Sequence, residues 1–346
     1  MGKKKAANVS ISNIENKITK DFGENVIVSG NYISESSKIV VPVSPMMDMM
    51  LGGGIPFGSF VIPTGPPKVG KTATALDVAG SALGIKSEWD NPRELYFFNI
   101  EGRLNKRDLL GIHHLAKYLK DNIKIIGSVP GKILTAENYL DIGEQLINEK
   151  PGCIFIFDSF SQLCSKSGRE NEWDGKQYRD DVPKFLSLLC KRISNVIPIN
   201  KSIVIGITHR IANTGFGFSS WAEASGTKIQ YQVDVKLNAK YCEAWKEGDV
   251  QIGQDIHWDC FCAPLLNGPT QGNCVSKLRY GYGLDKPSEL ISVAVDLGIL
   301  QQKGAWYYYE DSSFHGAKKI RDFVANTEKV YNEINSKYRE MMGFPK

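Results

Sequence analysis

Eight residues, GPPKVGKT from Gly65 to Thr72, carry the most specific chemistry in this chain. They fit the pattern G-x-x-x-x-G-K-[ST], in which the backbone N–H groups of a glycine-rich turn face phosphate oxygens. Gly65 and Gly70 let the backbone present those groups where a Cβ would obstruct them. Lys71 is placed to reach the β- and γ-phosphates, and the hydroxyl of Thr72 to hold Mg2+. Pro66, Pro67, Lys68 and Val69 complete the turn. Ala73 follows in the first turn of a helix whose N-terminal partial charge favours an anion. The expected ligand is ATP with Mg2+.

Such a loop needs a strand before it and a helix after it, and the flanks supply both. Residues 59–63 (SFVIP) read as a short buried strand and residues 73–83 as the helix. Three more apolar runs read as strands of a sheet covered on both faces. Residues 94–100 (ELYFFNI) end at Glu101, residues 153–157 (CIFIF) at Asp158, and residues 202–207 (SIVIGI) at Thr208 and His209. Helical stretches over 108–121, 136–150 and 182–196 alternate with them, which predicts an α/β fold with a mostly parallel sheet flanked by helices. Ligands in such sheets bind beyond the carboxyl ends of the strands. Asp158 is therefore expected to position Mg2+, Glu101 to act as general base toward an attacking water, and His209 to sense the γ-phosphate.

The chain has 346 residues, 42% of them hydrophobic, enough for one large domain with an appendage or for two domains. No apolar run approaches a membrane span, and the basic start MGKKKAANVS lacks the hydrophobic segment of a signal peptide, so a cytoplasmic protein is expected. Its seven cysteines are scattered and read as reduced thiols. A net charge of +4 is too small to imply nucleic acid by itself. Residues 1–38 form an arm with an amphipathic helix over 11–22, marked by Ile11, Ile14, Ile18 and Phe22. That arm either packs on its own core or docks on a neighbouring subunit.

The loop, the two strand-end acids and the Thr208–His209 ending, in this order, resemble the RecA recombinase family. The lead-in PMMDMMLGGGIPFG (45–58) and Thr208–His209 resemble its phage UvsX branch, and PSELISVAVDLGILQQKGAWYYYED (287–311) is similar to the small C-terminal domain of bacterial RecA proteins. The resemblance runs from about residue 40 to the end. It implies a RecA-like P-loop ATPase core over 39–284 and a small α+β C-terminal domain over 285–346. The implied activity is that of a DNA-dependent ATPase, forming a helical filament or ring on single-stranded DNA and promoting homologous pairing and strand exchange. A hexameric helicase motor and an ATP-sensing regulatory protein without strand exchange are the alternatives.

In that family the segments after the second and third strands line the filament axis and hold DNA, which here points to 166–178 and 212–228. Both are long and rich in Gly or Ser, without an apolar period, which in a compact domain suggests function or disorder. Phe216, Phe218 and Trp221 offer aromatic surface to stack on bases. Arg169, Lys176, Arg179, Arg210 and Lys228 could neutralise phosphates. Lys318, Lys319, Arg321 and Lys329 make the C-terminal domain a candidate gateway for duplex DNA, the alternative being a solvated helix face. Two positions depart from the family pattern. Asp108 stands where an aromatic residue stacks on adenine, and residues 255–267 contain none of the lysines that reach a neighbour's ATP. Tyr231 stands near a family aromatic that relays nucleotide state between protomers.

Overall fold

The computed structural model describes residues 14–31, 38–170, 180–212, 221–223, 229, 232–266 and 272–345. The chain divides into two units, Met1–Lys38 and Ile39–Lys346. In the first, residues 14–22 are helical, with Ile14 and Phe22 exposed. Residues 11–13 of the expected arm helix lie outside the described residues.

Among the described residues the second unit is built on an 11-stranded mixed sheet. Its strands are, in chain order after the short β1 (Val40–Val41) and β2 (Ile55–Pro56), β3 (Ser59–Gly65), β4 (Leu95–Asn99), β5 (Ile123–Ile126), β6 (Ile154–Asp158), β7 (Ile203–Gly206), β8 (Thr208–Ala212), β9 (Trp221–Glu223), β10 (Val235–Glu247), β11 (Val250–Cys262), β12 (Gly272–Arg279) and β13 (Gly283–Leu284). Across the sheet the order is β13-β12-β11-β10-β3-β7-β6-β4-β5, with β8 pairing the end of β3. The pairings from β10 through to β5 are parallel, and those among β10, β11, β12 and β13 antiparallel. The mostly parallel α/β sheet expected from the sequence is thus present, extended by an antiparallel flank.

Alternation along the central strands feeds two cores. Val61, Phe97, Ile156 and Ile205 pack toward helix Lys71–Leu83, while Phe60, Ile62, Phe98, Phe155, Phe157 and Val204 pack toward helices Ala136–Glu149 and Val182–Ile193. On the second face the parallel register sets Tyr96 beside Phe155 and Phe98 beside Phe157. These pairs stack at 5.4 and 4.1 Å between ring centroids, and Phe157 meets Phe160 at 5.1 Å. The aromatic ladder leads to the end of β6, where the candidate acid stands.

Residues 108–121 do not form the single helix expected from their pattern. Helix Lys106–Leu110 stops before Gly111, a one-turn helix spans Ala116–Tyr118, and the chain then enters β5. Asn105 caps the first of these: its side chain accepts from Arg107 N and Asp108 N, and Asp108 returns a bond to Asn105 N. That capping box fixes the start of the element, and Gly111, whose N–H donates to Arg107 O, ends it where apolar periodicity suggested a longer helix. In the expected loop after β6, residues Lys166–Glu170 are helical.

After β13 come helix Lys286–Asp296, a three-stranded antiparallel sheet of β14 (Gln301–Lys303), β15 (Trp306–Tyr309) and β16 (Ser312–His315), and helices Ala317–Asn326 and Glu328–Met341. They share a core of their own around Leu290, Leu300, Ile320, Val324, Ile334 and Tyr338. Among the described residues no helix is long and apolar enough to cross a membrane.

Candidate nucleotide site

The phosphate loop leaves β3 at Gly65 and enters helix Lys71–Leu83 through Gly70. Two of its glycines are required by space and by backbone angle. At Gly65 (φ 153°) a Cβ would lie 2.4 Å from the carbonyl oxygen of Ala239, and at Gly70 (φ 99°) 2.6 Å from Ile256 Cδ1. The neighbouring strands β10 and β11 therefore press the loop from the side. Pro67 and Lys68 are exposed at its outer edge, and Val69 is buried beneath it.

Lys71 is 4% exposed, and its Nζ donates to the carbonyls of Gly65 (2.9 Å) and Pro66 (2.6 Å). Burial pulls its pKa down to about 8, against the attraction of Asp158 and Glu101. A buried ammonium held by carbonyl dipoles alone gains strongly from a phosphate anion. Thr72, one residue on, donates its hydroxyl to Asp158 Oδ2 at 2.9 Å. Burial pushes Asp158 up to about 6, with the Thr72 bond opposing that rise.

Glu101 follows β4, and its backbone N–H joins that of Ile100 in donating to Asp158 O, at 3.1 and 3.0 Å. Its Oε1 lies 2.8 Å from His209 Nε2 and accepts from Ser159 Oγ, also at 2.8 Å. The His209 hydrogen bond, aided by Ser159, holds the Glu101 carboxyl below the usual carboxylate range despite burial. His209 is set by β8, which pairs Gly65 with His209 in register, and its backbone N–H donates to Ser161 Oγ at 2.8 Å. His209 Nδ1 is buried without a hydrogen-bond partner among the described residues.

Lys71, Thr72, Asp158, Glu101 and His209, read from four separate places in the sequence, thus meet at the carboxyl ends of β3, β4 and β6 and the start of β8. Pattern reading passed over Ser159 and Ser161, although DSFS directly after an apolar strand puts two hydroxyls beside the acid. It also passed over Gln254, whose Nε2 would stand 3.1 Å from a Cβ at Gly70.

The residues expected to meet DNA divide differently. Arg210 lies on β8 next to His209, opposite Glu223 of β9. Trp221 is on β9, with only its backbone described. Arg169 is exposed on helix Lys166–Glu170, with Nη2 3.5 Å from Leu134 O. Lys176, Arg179, Phe216, Phe218, Lys228 and Tyr231 lie outside the described residues. In the C-terminal region Lys319 and Lys329 are exposed, and Lys318 pairs with Glu247 at 3.1 Å. Arg321 does not belong to that surface. Its guanidinium bonds the fully buried Asp285 at 3.2 Å and is engaged internally. Asp108 is occupied in the helix cap described above, and Trp258 and Cys260, within 255–267, face the core.

Residues 288–343 match the family model of the RecA C-terminal domain. The RecA protein of Streptomyces rimosus is 24% identical over 347 residues, covering 99% of this chain and 86% of its own length. That of Xanthomonas axonopodis pv. citri is 25% identical over 344 residues, covering 98% of this chain and 94% of its own. The RecA protein of Ruminococcus albus is 24% identical over 344 residues, covering 97% and 80% respectively. With a mostly parallel sheet flanked by helices and a small C-terminal sheet domain, the chain is similar to RecA proteins along nearly its whole length.

Proposed function

We propose that the chain is a DNA-dependent ATPase that assembles on single-stranded DNA and promotes homologous pairing and strand exchange. One observation carries this reading: a phosphate loop, a hydroxyl–carboxylate pair and a carboxylate–imidazole pair converge at the ends of adjacent parallel strands in a chain similar to RecA proteins. The cradle fits a nucleoside triphosphate, because glycines stand where side chains would collide and the buried Lys71 donates to carbonyls among the described residues. Thr72 and Asp158 are hard oxygen donors of the kind Mg2+ prefers, and the ion would neutralise charge on the phosphates. Lys71 and the N-terminus of helix Lys71–Leu83 bind and orient the phosphate chain. Glu101 takes the proton of the attacking water, and the neighbouring imidazole of His209 relates the state of the site to β8 and the segment beyond it.

In this reading residues 1–38 are an oligomerisation arm, 39–284 the ATPase and DNA-binding core, and 285–346 a C-terminal domain. Single-stranded DNA is met by the segments after β6 and β8, through Arg169, Lys176, Arg179, Arg210 and Lys228 and the aromatics Phe216, Phe218 and Trp221. Duplex DNA is met by Lys318, Lys319 and Lys329. The test is ATP turnover with and without single-stranded DNA, with electron microscopy of the same samples. Stimulation together with filaments is expected. Absence of both under ATP or a slowly hydrolysed analogue would sink the reading.

A further inference from the structure

Ser159 follows Asp158 at the end of β6, and it is fully buried. Its neighbours are held at three points. Asp158 O accepts from Ile100 N and Glu101 N, Phe160 N donates to Ile207 O at 2.9 Å, and the Phe160 ring lies against Gly206, where a Cβ would stand 2.0 Å from Cε2. The backbone on either side of Ser159 is therefore tied to β4 and to the end of β7, and its hydroxyl reaches Glu101 from a rigid frame.

Ser159 Oγ and His209 Nε2 both lie 2.8 Å from the same oxygen, Glu101 Oε1. The other oxygen, Oε2, has the largely exposed guanidinium of Arg103 at 3.9 Å. A carboxylate held at one oxygen by two donors keeps its rotamer when one of them leaves, provided the other is fixed. His209 belongs to a short strand that leads into another segment, whereas Ser159 is locked into the sheet.

We propose that Ser159 is a positioning residue for Glu101: it anchors Oε1 independently of His209 and leaves the Oε2 edge to accept the proton. The proposal rests on the reading of Glu101 as general base. Its consequence is that the imidazole can turn toward another acceptor while the base stays aimed.

Ser159→Ala removes the anchor, and Ser159→Cys keeps a weaker donor of similar shape. Loss of a group that orients a reacting residue typically lowers activity roughly 10–100-fold. Turnover of the Ala variant is expected to fall by that factor, with affinity for a fluorescent ATP analogue within about twofold of the parent and the Cys variant in between. A second readout needs no nucleotide. With Ser159 gone, His209 is the donor left to Oε1 among the described residues, so the ring nitrogen resonances of His209 in a 15N spectrum should shift in Ser159→Ala and less in Ser159→Cys. Unchanged turnover in the Ala variant overturns the proposal whatever the ring signals do. So does a loss of nucleotide affinity and melting temperature that matches the loss of turnover, since that is the mark of a merely structural hydroxyl. Glu101→Gln separates this proposal from the reading beneath it. If the Gln variant turns over normally, the base is misassigned; if it is inactive while Ser159→Ala is normal, only the anchoring role fails.

Discussion

Thr72 Oγ1 donates to Asp158 Oδ2 at 2.9 Å, joining the first turn of helix Lys71–Leu83 to the carboxyl end of β6 across 86 positions of sequence. In the proposed function these two oxygens are the preset pair for Mg2+. Thr72→Ser should therefore behave like the parent, while Thr72→Val, which keeps the shape and deletes the oxygen, should lose the Mg2+ dependence of ATP-analogue binding. The fold should survive, because one partly buried hydrogen bond contributes only about 1 kcal/mol. A Mg2+ titration of analogue affinity on the three proteins decides the matter, and an unchanged dependence in the Val variant would refute the pairing.

Gly206 gives a mechanical test of how β7 supports the site. A Cβ there would stand 2.0 Å from the Phe160 ring, closer than real contacts allow, and Phe160 also packs on Phe157 and Phe60. The ring has no free side to retreat to. Gly206→Ala should cost about 1–3 kcal/mol of stability, as overpacking of a filled core does. Phe160→Leu in the same chain should restore part of that loss. Urea unfolding of the two single variants and the double variant measures the coupling, and strict additivity would mean that the collision is relieved elsewhere.

Two buried carboxyls join the core to the C-terminal helices and set a pH dependence. Asp48 accepts from Val43 N at 2.8 Å and Arg339 Nη1 at 3.0 Å, and Glu289 from Lys277 N at 2.8 Å and Met46 N at 3.1 Å. Burial outweighs these bonds and pushes both groups up to about 7. Near pH 5 the native carboxyls hold protons that the unfolded chain has already released, so the stability these two groups contribute is greatest in acid and falls as pH rises toward 7. Each group contributes at most about 1.4 kcal/mol per pH unit to that slope. His114, whose pKa burial lowers, works in the opposite sense, so the comparison must be between proteins that share it. Asp48→Asn keeps an acceptor for Val43 N and should flatten the decline between pH 5 and 7 in urea unfolding; slopes parallel to the parent would refute the assignment.

The parts of this molecule that follow a local rule were open to reading. Strand, glycine loop and helix succeed one another over 59–83, and the runs ending at Glu101, Asp158 and His209 are apolar on both sides because two cores need them so. The antiparallel flank from β10 to β13 was not legible. In strand Val235–Glu247 the second half is largely exposed, so no buried stripe announces it. The helix expected over 108–121 instead starts at the Asn105–Asp108 capping box and ends at Gly111, a boundary that apolar spacing does not reveal. Ser159 was passed over for a different reason: its importance lies in a contact with Glu101, 58 positions away, and a single serine after an acid carries no pattern.

The segment expected to touch DNA leaves β8 and returns on β9, whose antiparallel pairing sets Ala212 opposite Trp221 and Arg210 opposite Glu223. Phe216 and Phe218 lie outside the described residues, and the strand that precedes them, β8, holds His209. Aromatic and basic residues of this segment should separate in their salt behaviour. Replacing Phe216, Phe218 and Trp221 together by Ala should weaken binding to single-stranded DNA by about 1–3 kcal/mol for each stacked base lost, with no change in the salt slope. Arg210→Ala should instead reduce the slope of log affinity against log salt by about 0.7, the share of one phosphate on a single strand. Fluorescence anisotropy on a labelled oligonucleotide across a salt series measures both. An aromatic variant that keeps the parent affinity would show that these rings fold back onto the protein, and an Arg210 variant with the parent slope would remove that residue from the phosphate path.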